Sequence, residues 1–128
     1  MLTGIGTDII EIARVADAAI NPRFLERIYT KKEREHCLGR NDPYPCLAGR
    51  FAAKEAVLKA LGSGLSGCRF VDVEILSDEK TGAPKVVLHA RAKNKALVKG
   101  IKQVMVSISH DRGRAVAFAV AVAGRGDG

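Results

Sequence analysis

The chain predicts an α+β fold: a mostly antiparallel sheet packed against one long helix plus short helices. Three observations carry this. One uninterrupted helical pattern spans about 43–61 and meets Gly62, a residue suited to end a helix. Apolar, β-branched runs bounded by turn residues fall at about 2–12, 69–76, 85–90, 104–110 and 115–123. The later runs are joined by short Gly- and Asp-containing turns, which favours hairpins and hence antiparallel pairing.

The first strand, about 2–12, holds Gly4-Ile5-Gly6-Thr7-Asp8-Ile9-Ile10. Asp disfavours strand interiors, so Asp8 either marks a bulge or strand end, or has a compensating partner. Gly4 and Gly6 let another backbone or a ligand approach closely. Short helical pieces follow at about 13–20 and 22–29. Thr30-Lys31-Lys32-Glu33 has capping-box spacing and starts a helix over about 31–39, stopped by Gly39. Asp42-Pro43 then reads as an N-cap followed by proline at the first helical position.

The long helix contains Arg50-Phe51-Ala52-Ala53-Lys54-Glu55-Ala56. Phe51, Glu55 and Leu58 share one face, and Leu47 and Leu61 extend it, so Glu55 is expected inside an apolar stripe. A partly dehydrated carboxylate needs compensation by a cation or a metal. Lys59, one turn on, is one candidate and a divalent cation another. The plainer alternative is an exposed i, i+4 pair of Glu55 with Lys59.

Beyond Gly62-Ser63-Gly64-Leu65-Ser66-Gly67, a loop that lacks the lysine of a P-loop, the strand at 69–76 turns at 77–84 into its partner at 85–90. A basic helix is expected at about 91–100. In the following strand Val104, Val106 and Ile108 alternate with Met105, Ser107 and Ser109. His110 ends it, either as a structural residue or as an acid/base or phosphate-binding group. The turn at 111–114 closes the last hairpin.

The length of 128 residues fits one domain over 1–123, with 124–128 as a flexible Gly-rich tail. No apolar run approaches bilayer length, and the N-terminus lacks signal-peptide character, so a cytoplasmic protein is expected. Three cysteines with no Cys-x-x-Cys argue against a disulfide framework or zinc site and make reduced thiols the simplest expectation. The net charge is +7, and residues 80–102 carry seven Lys or Arg with no Asp or Glu. This favours anionic partners. Aromatic content is only 5%, Trp is absent and no nucleic-acid motif occurs, so nucleic acid is not an expected partner.

Four blocks in order give a resemblance: Gly4 to Asp8, Arg23-Phe24-Leu25-Glu26-Arg27-Ile28, Arg50 to Ala56, and Ser107-Ile108-Ser109-His110. Together they resemble the holo-(acyl-carrier-protein) synthases, the small bacterial type of 4'-phosphopantetheinyl transferase, from Gly4 to about Val122. The turn Thr81-Gly82-Ala83-Pro84 departs from the family's Gly-Lys-Pro and lacks a cation there. The resemblance implies transfer of 4'-phosphopantetheine from coenzyme A to a serine of apo acyl carrier protein, releasing adenosine 3',5'-bisphosphate, in fatty-acid biosynthesis. It implies Mg²⁺ on Asp8 and Glu55, with Lys59 and His110 completing the catalytic set. Implied coenzyme A contacts are Arg50, Phe51, Lys54, Gly62, Ser63, Gly64, Pro84, Ser109 and His110. Arg14, Arg23, Phe24 and Arg27 would dock the carrier, although they also fit an ordinary amphipathic surface. Arg50 and Lys54 also fit solvated helix charges. A homotrimer with active sites between subunits is implied as well. The rival readings are a polyanion-binding module without chemistry and a different Mg²⁺-dependent phosphotransferase.

Overall fold

A computed structural model describes residues 1–62 and 67–124. The order is β1 (Leu2–Glu11), α1 (Ile12–Ala18), α2 (Pro22–Ile28), α3 (Lys31–Leu38), α4 (Tyr44–Ala60), β2 (Val73–Ser77), β3 (Pro84–Leu88), α5 (Ala90–Val98), β4 (Ile101–His110) and β5 (Arg114–Ala123). Strands β1, β5 and β4 form one antiparallel sheet in that order, and β2 pairs with β3 in a second. The expected strand at 69–76 begins later than its alternation suggests. Phe70–Asp72 is a 3-10 turn, because Asp72 turns back to accept from the Arg69 N–H at 3.0 Å.

Helix α4 lies against the three-stranded sheet and buries almost its whole circumference. Small residues make this possible. Ala115, Ala117, Ala119 and Ala121 form the inner face of β5 and are all buried. A Cβ on Gly4 would lie 1.9 Å from the Ala60 carbonyl oxygen, and one on Gly6 would lie 2.0 Å from that of Ala56. The close neighbour of the two glycines is therefore the α4 backbone itself. Gly62 follows the helix at φ +87°, a conformation that glycine adopts without strain.

The other sheet face is apolar and uncovered. Ile5, Ile9, Phe118 and Met105 are exposed there. They run across the strands in register, Ile5 opposite Val120 and Val120 opposite Met105.

The capping box is present: the Thr30 hydroxyl accepts from Glu33 N–H at 3.3 Å and Glu33 Oε1 accepts from Thr30 N–H at 2.8 Å. The thiol expectation is overturned for two cysteines. The short link from α3 to α4 brings Cys37 and Cys46 to a Cα separation of 5.4 Å, and they form a disulfide. Cys68 is free and buried.

Candidate active site

Asp8 lies on the inner face of β1, and Glu55 and Lys59 reach toward it from α4. Strand β1 is an edge of its sheet, so its outward carbonyls need other partners. Lys59 Nζ donates to the Thr7 carbonyl at 2.8 Å and to Asp8 Oδ1 at 3.3 Å. The compensating partner of Asp8 is thus Lys59, which crosses to the strand instead of forming the i, i+4 pair with Glu55. No hydrogen bond or ion pair to a described residue holds the Glu55 carboxylate. Burial first, and then the nearby Asp8 charge, raise its pKa above the ordinary carboxylate value, and Lys59 only partly opposes this. A cavity of about 350 Å³ opens beside the pair and is lined by Asp8, Glu55, Phe51, Phe24 and Arg14, among others.

Two half-buried carboxylates stand side by side, and among the described residues Lys59 bonds only Asp8. They suit Mg²⁺, which takes one or two protein carboxylates and completes its shell with water and phosphate oxygens. Among the described residues there is no group of three or more His, Cys, Asp and Glu side chains to form an all-protein cage.

Lys54 is corrected. It was expected to contact coenzyme A, but its side chain is 0% exposed. Its ammonium donates to Glu33 Oε1 at 2.7 Å and to the carbonyls of Phe70 at 3.1 Å and Val73 at 2.5 Å. All three protons are used. Burial pulls its pKa below the usual lysine range, while Glu33 pulls it back up. The fully sealed charge of α4 is therefore Lys54, and Glu55 lies on the helix's least buried strip together with Tyr44, Phe51 and Lys59. Arg50 is also mostly buried. It donates from Nη2 to Ser77 Oγ at 2.7 Å, and its Nε has no hydrogen-bond partner. His36 and Arg40 lie close enough to Arg50 for their charges to interact, and burial and then Arg50 hold His36 below the usual histidine range.

The remaining expected residues are not all gathered. Ser109 and His110 sit on β4, with β5 between them and β1, so they are roughly 10 Å across the sheet from the Asp8 strand. Ser109 points to the outer face, and His110 is exposed beside the Asp111 carbonyl at 3.3 Å. Pro84 opens β3 and lines a separate groove of about 660 Å³ between β3, α5 and β4. Ser63 and Gly64 lie outside the described residues, as do 125–128 of the expected tail. Arg14, Arg23 and Arg27 are exposed. Phe24, the expected apolar anchor, is partly buried: its ring lies 6.3 Å from Phe51 and 6.1 Å from Tyr29 and walls the Asp8 cavity.

Residues 4–121 match the family model described as the 4'-phosphopantetheinyl transferase superfamily. The chain belongs to that superfamily. A holo-[acyl-carrier-protein] synthase of Thermoanaerobacter sp. (strain X514) is 46% identical over 121 residues, which cover 94% of this chain and 87% of that one. The holo-[acyl-carrier-protein] synthase of Neisseria meningitidis superposes with a TM-score of 0.83 at 34% identity, covering 95% of this chain and 99% of the other. The Helicobacter pylori enzyme of the same name, solved in complex with coenzyme A, gives 0.79 at 36% identity over 92% and 99% of the two chains. Membership in this transferase superfamily gives the paired carboxylates a chemical context that geometry alone leaves open.

Proposed function

We propose that this chain transfers 4'-phosphopantetheine from coenzyme A to a serine of apo acyl carrier protein, with Mg²⁺ held by Asp8 and Glu55. The observation that carries the reading is the open carboxylate pair. Asp8 and Glu55 line one cavity, and among the described residues only Asp8 has a cation within ion-pair distance. A purely structural site would have paired both. Bound Mg²⁺ would supply charge neutralisation for the pyrophosphate and its leaving group.

The chain's own residues then have distinct tasks. Asp8 and Glu55 provide the charge and hold the orientation. The half-exposed Lys59 ammonium, held beside the pair on Asp8 and the Thr7 carbonyl, would neutralise phosphate charge. Phe51 and Phe24 form an apolar wall that limits water around the reacting groups. Arg14 lines the same cavity, so an acidic carrier held by Arg14 and Arg23 would present its serine to the carboxylate pair. Arg50, whose Nη2 bonds Ser77, and the exposed His110 remain the proposed contacts for the nucleotide's charged end.

The separation of His110 and Ser109 from Asp8 supports a site shared between subunits. We propose a homotrimer whose contacts include the uncovered apolar face bearing Ile5, Ile9, Phe118 and Met105. Such an assembly supplies one subunit's β4 end to its neighbour's Asp8 cavity.

The test is to mix the protein with coenzyme A, Mg²⁺ and an apo carrier and to weigh the carrier. The expected result is a carrier heavier by one phosphopantetheine, with the gain abolished by a chelator and restored by Mg²⁺. No mass change overturns the activity. A gain indifferent to chelator overturns the metal assignment. Sedimentation should give about three times the 13.7 kDa chain mass.

A further inference from the structure

We infer that Lys54, with Glu33, is a positioning device for the neighbouring Glu55 and makes no contact with substrate; this rests on the function just proposed. The Lys54–Glu33 pair is sealed, with both side chains 0% exposed. Glu33 is also saturated. Its Oε1 takes the Thr30 N–H and the Lys54 ammonium, and its Oε2 takes the Ile75 N–H at 2.8 Å. One ion pair therefore ties together α3, α4, the 3-10 turn and β2.

The consequence for Glu55 is geometric. Lys54 and Glu55 are adjacent on one helix, so fixing the direction of one fixes the other about 100° around the axis. One turn earlier Arg50 anchors to Ser77 on β2, the same side of the helix. Across the helix Gly4 and Gly6 hold β1 against Ala60 and Ala56. Helix α4 is thus gripped from two sides, and the carboxylate pair lies where the β1 side opens. The β1 contact joins bare backbones and small residues, with the half-exposed Lys59 bonded to the Thr7 carbonyl and Asp8 at its rim. The directional bonds of Lys54 resist rolling. A roll of about 20° would move a side-chain tip some 5–6 Å from the axis by roughly 2 Å, and misplacement of about 1 Å can cost about a hundredfold in rate.

The experiment compares wild type with Lys54→Met and with the milder Glu33→Gln, each at a temperature where circular dichroism shows it folded. Mg²⁺ affinity is read directly by calorimetry with coenzyme A present and carrier absent. It is read again as the Mg²⁺ concentration giving half-maximal transfer. The expected result for both variants is a tenfold or greater loss of Mg²⁺ affinity in both readouts. KM for coenzyme A at saturating Mg²⁺ should move less than twofold. If KM for coenzyme A rises tenfold while Mg²⁺ affinity holds, Lys54 touches substrate and the inference is overturned. If only the melting temperature falls, the pair is simple packing and the inference is again overturned. If Lys54→Met does not fold, Glu33→Gln decides between these outcomes. A wild type that neither transfers nor binds Mg²⁺ overturns the proposed function, and this inference falls with it.

Discussion

Helix α4 carries two acid–base clusters on different sides, and they are built on opposite principles. Lys54 and Glu33 are closed: no exposed side-chain surface, every proton and acceptor engaged with α3, β2 and the turn before it. Asp8, Glu55 and Lys59 are open. Lys59 is half exposed, Asp8 keeps only one cation, and Glu55 has none within ion-pair distance among the described residues. Desolvating a charge is worthwhile for stability only when the charge is fully satisfied. The first cluster meets that condition. The second retains like charges side by side, which costs stability, and is therefore better explained by a ligand than by the fold.

The comparison breaks first at its closed end. Lys54→Met leaves Glu33 buried without its cation, and loss of one partner of such a pair costs about 3–5 kcal/mol. Denaturant unfolding should show a loss of that size; a loss near zero would mean that the pair is not sealed in solution. At the open end, Asp8→Asn and Glu55→Gln keep the shape and remove the charge. Transfer should fall at least about a hundredfold, or about 2.7 kcal/mol of transition-state stabilisation, with circular dichroism unchanged. Near-wild-type turnover at limiting Mg²⁺ in either variant would remove that residue from the metal site.

A pH series sharpens the difference. The pKa of Glu55 is raised in the folded chain by burial and by Asp8. Its proton therefore stabilises the fold below the ordinary carboxylate pKa, and that contribution is lost as pH rises through the folded value. Metal-free Glu55→Gln should accordingly gain on wild type in melting temperature as pH climbs from about 4 to 7, and a difference independent of pH would contradict the shift. The smallest expected effect is at the rim. Arg14→Glu should raise KM for the carrier several-fold, with the gap narrowing as salt rises. An equal effect on coenzyme A would place Arg14 in the nucleotide site instead.

Much of this was legible in the residues because it is local. Thr30 and Glu33 are three apart, and their capping box needs only that spacing. Gly4 and Gly6 announced a close neighbour, though the sequence could not say that it is α4. Asp8 and Glu55 each stood out in an apolar segment, only the resemblance joined them with Lys59 in one site, and the structure puts Lys59 on Asp8 and both carboxylates on one cavity. Leu47 and Leu61 were assigned to a face centred on Glu55, yet Leu47, Lys54 and Leu61 are seven apart and are all 0% exposed. The heptad spacing points to Lys54 as the buried charge. A lysine is rarely sealed, and its partner Glu33 lies 21 positions away and also serves the Thr30 cap. The Cys37–Cys46 bridge was missed for a related reason: an odd cysteine count is weak evidence when two helices fold back on each other. Ser109 and His110 were placed in the site by resemblance, and a single chain keeps them apart from Asp8.

The most direct measurement is the melting temperature of wild type and Glu55→Gln, each with and without Mg²⁺ and coenzyme A, at neutral pH. If the open cluster is a ligand site that costs stability, metal-free Glu55→Gln melts at or above wild type, and Mg²⁺ with coenzyme A raises wild type by more than it raises the variant. If Glu55→Gln melts well below wild type without ligand, and both proteins gain equally when Mg²⁺ and coenzyme A are added, Glu55 belongs to the fold and the contrast between the two sides of α4 is wrong.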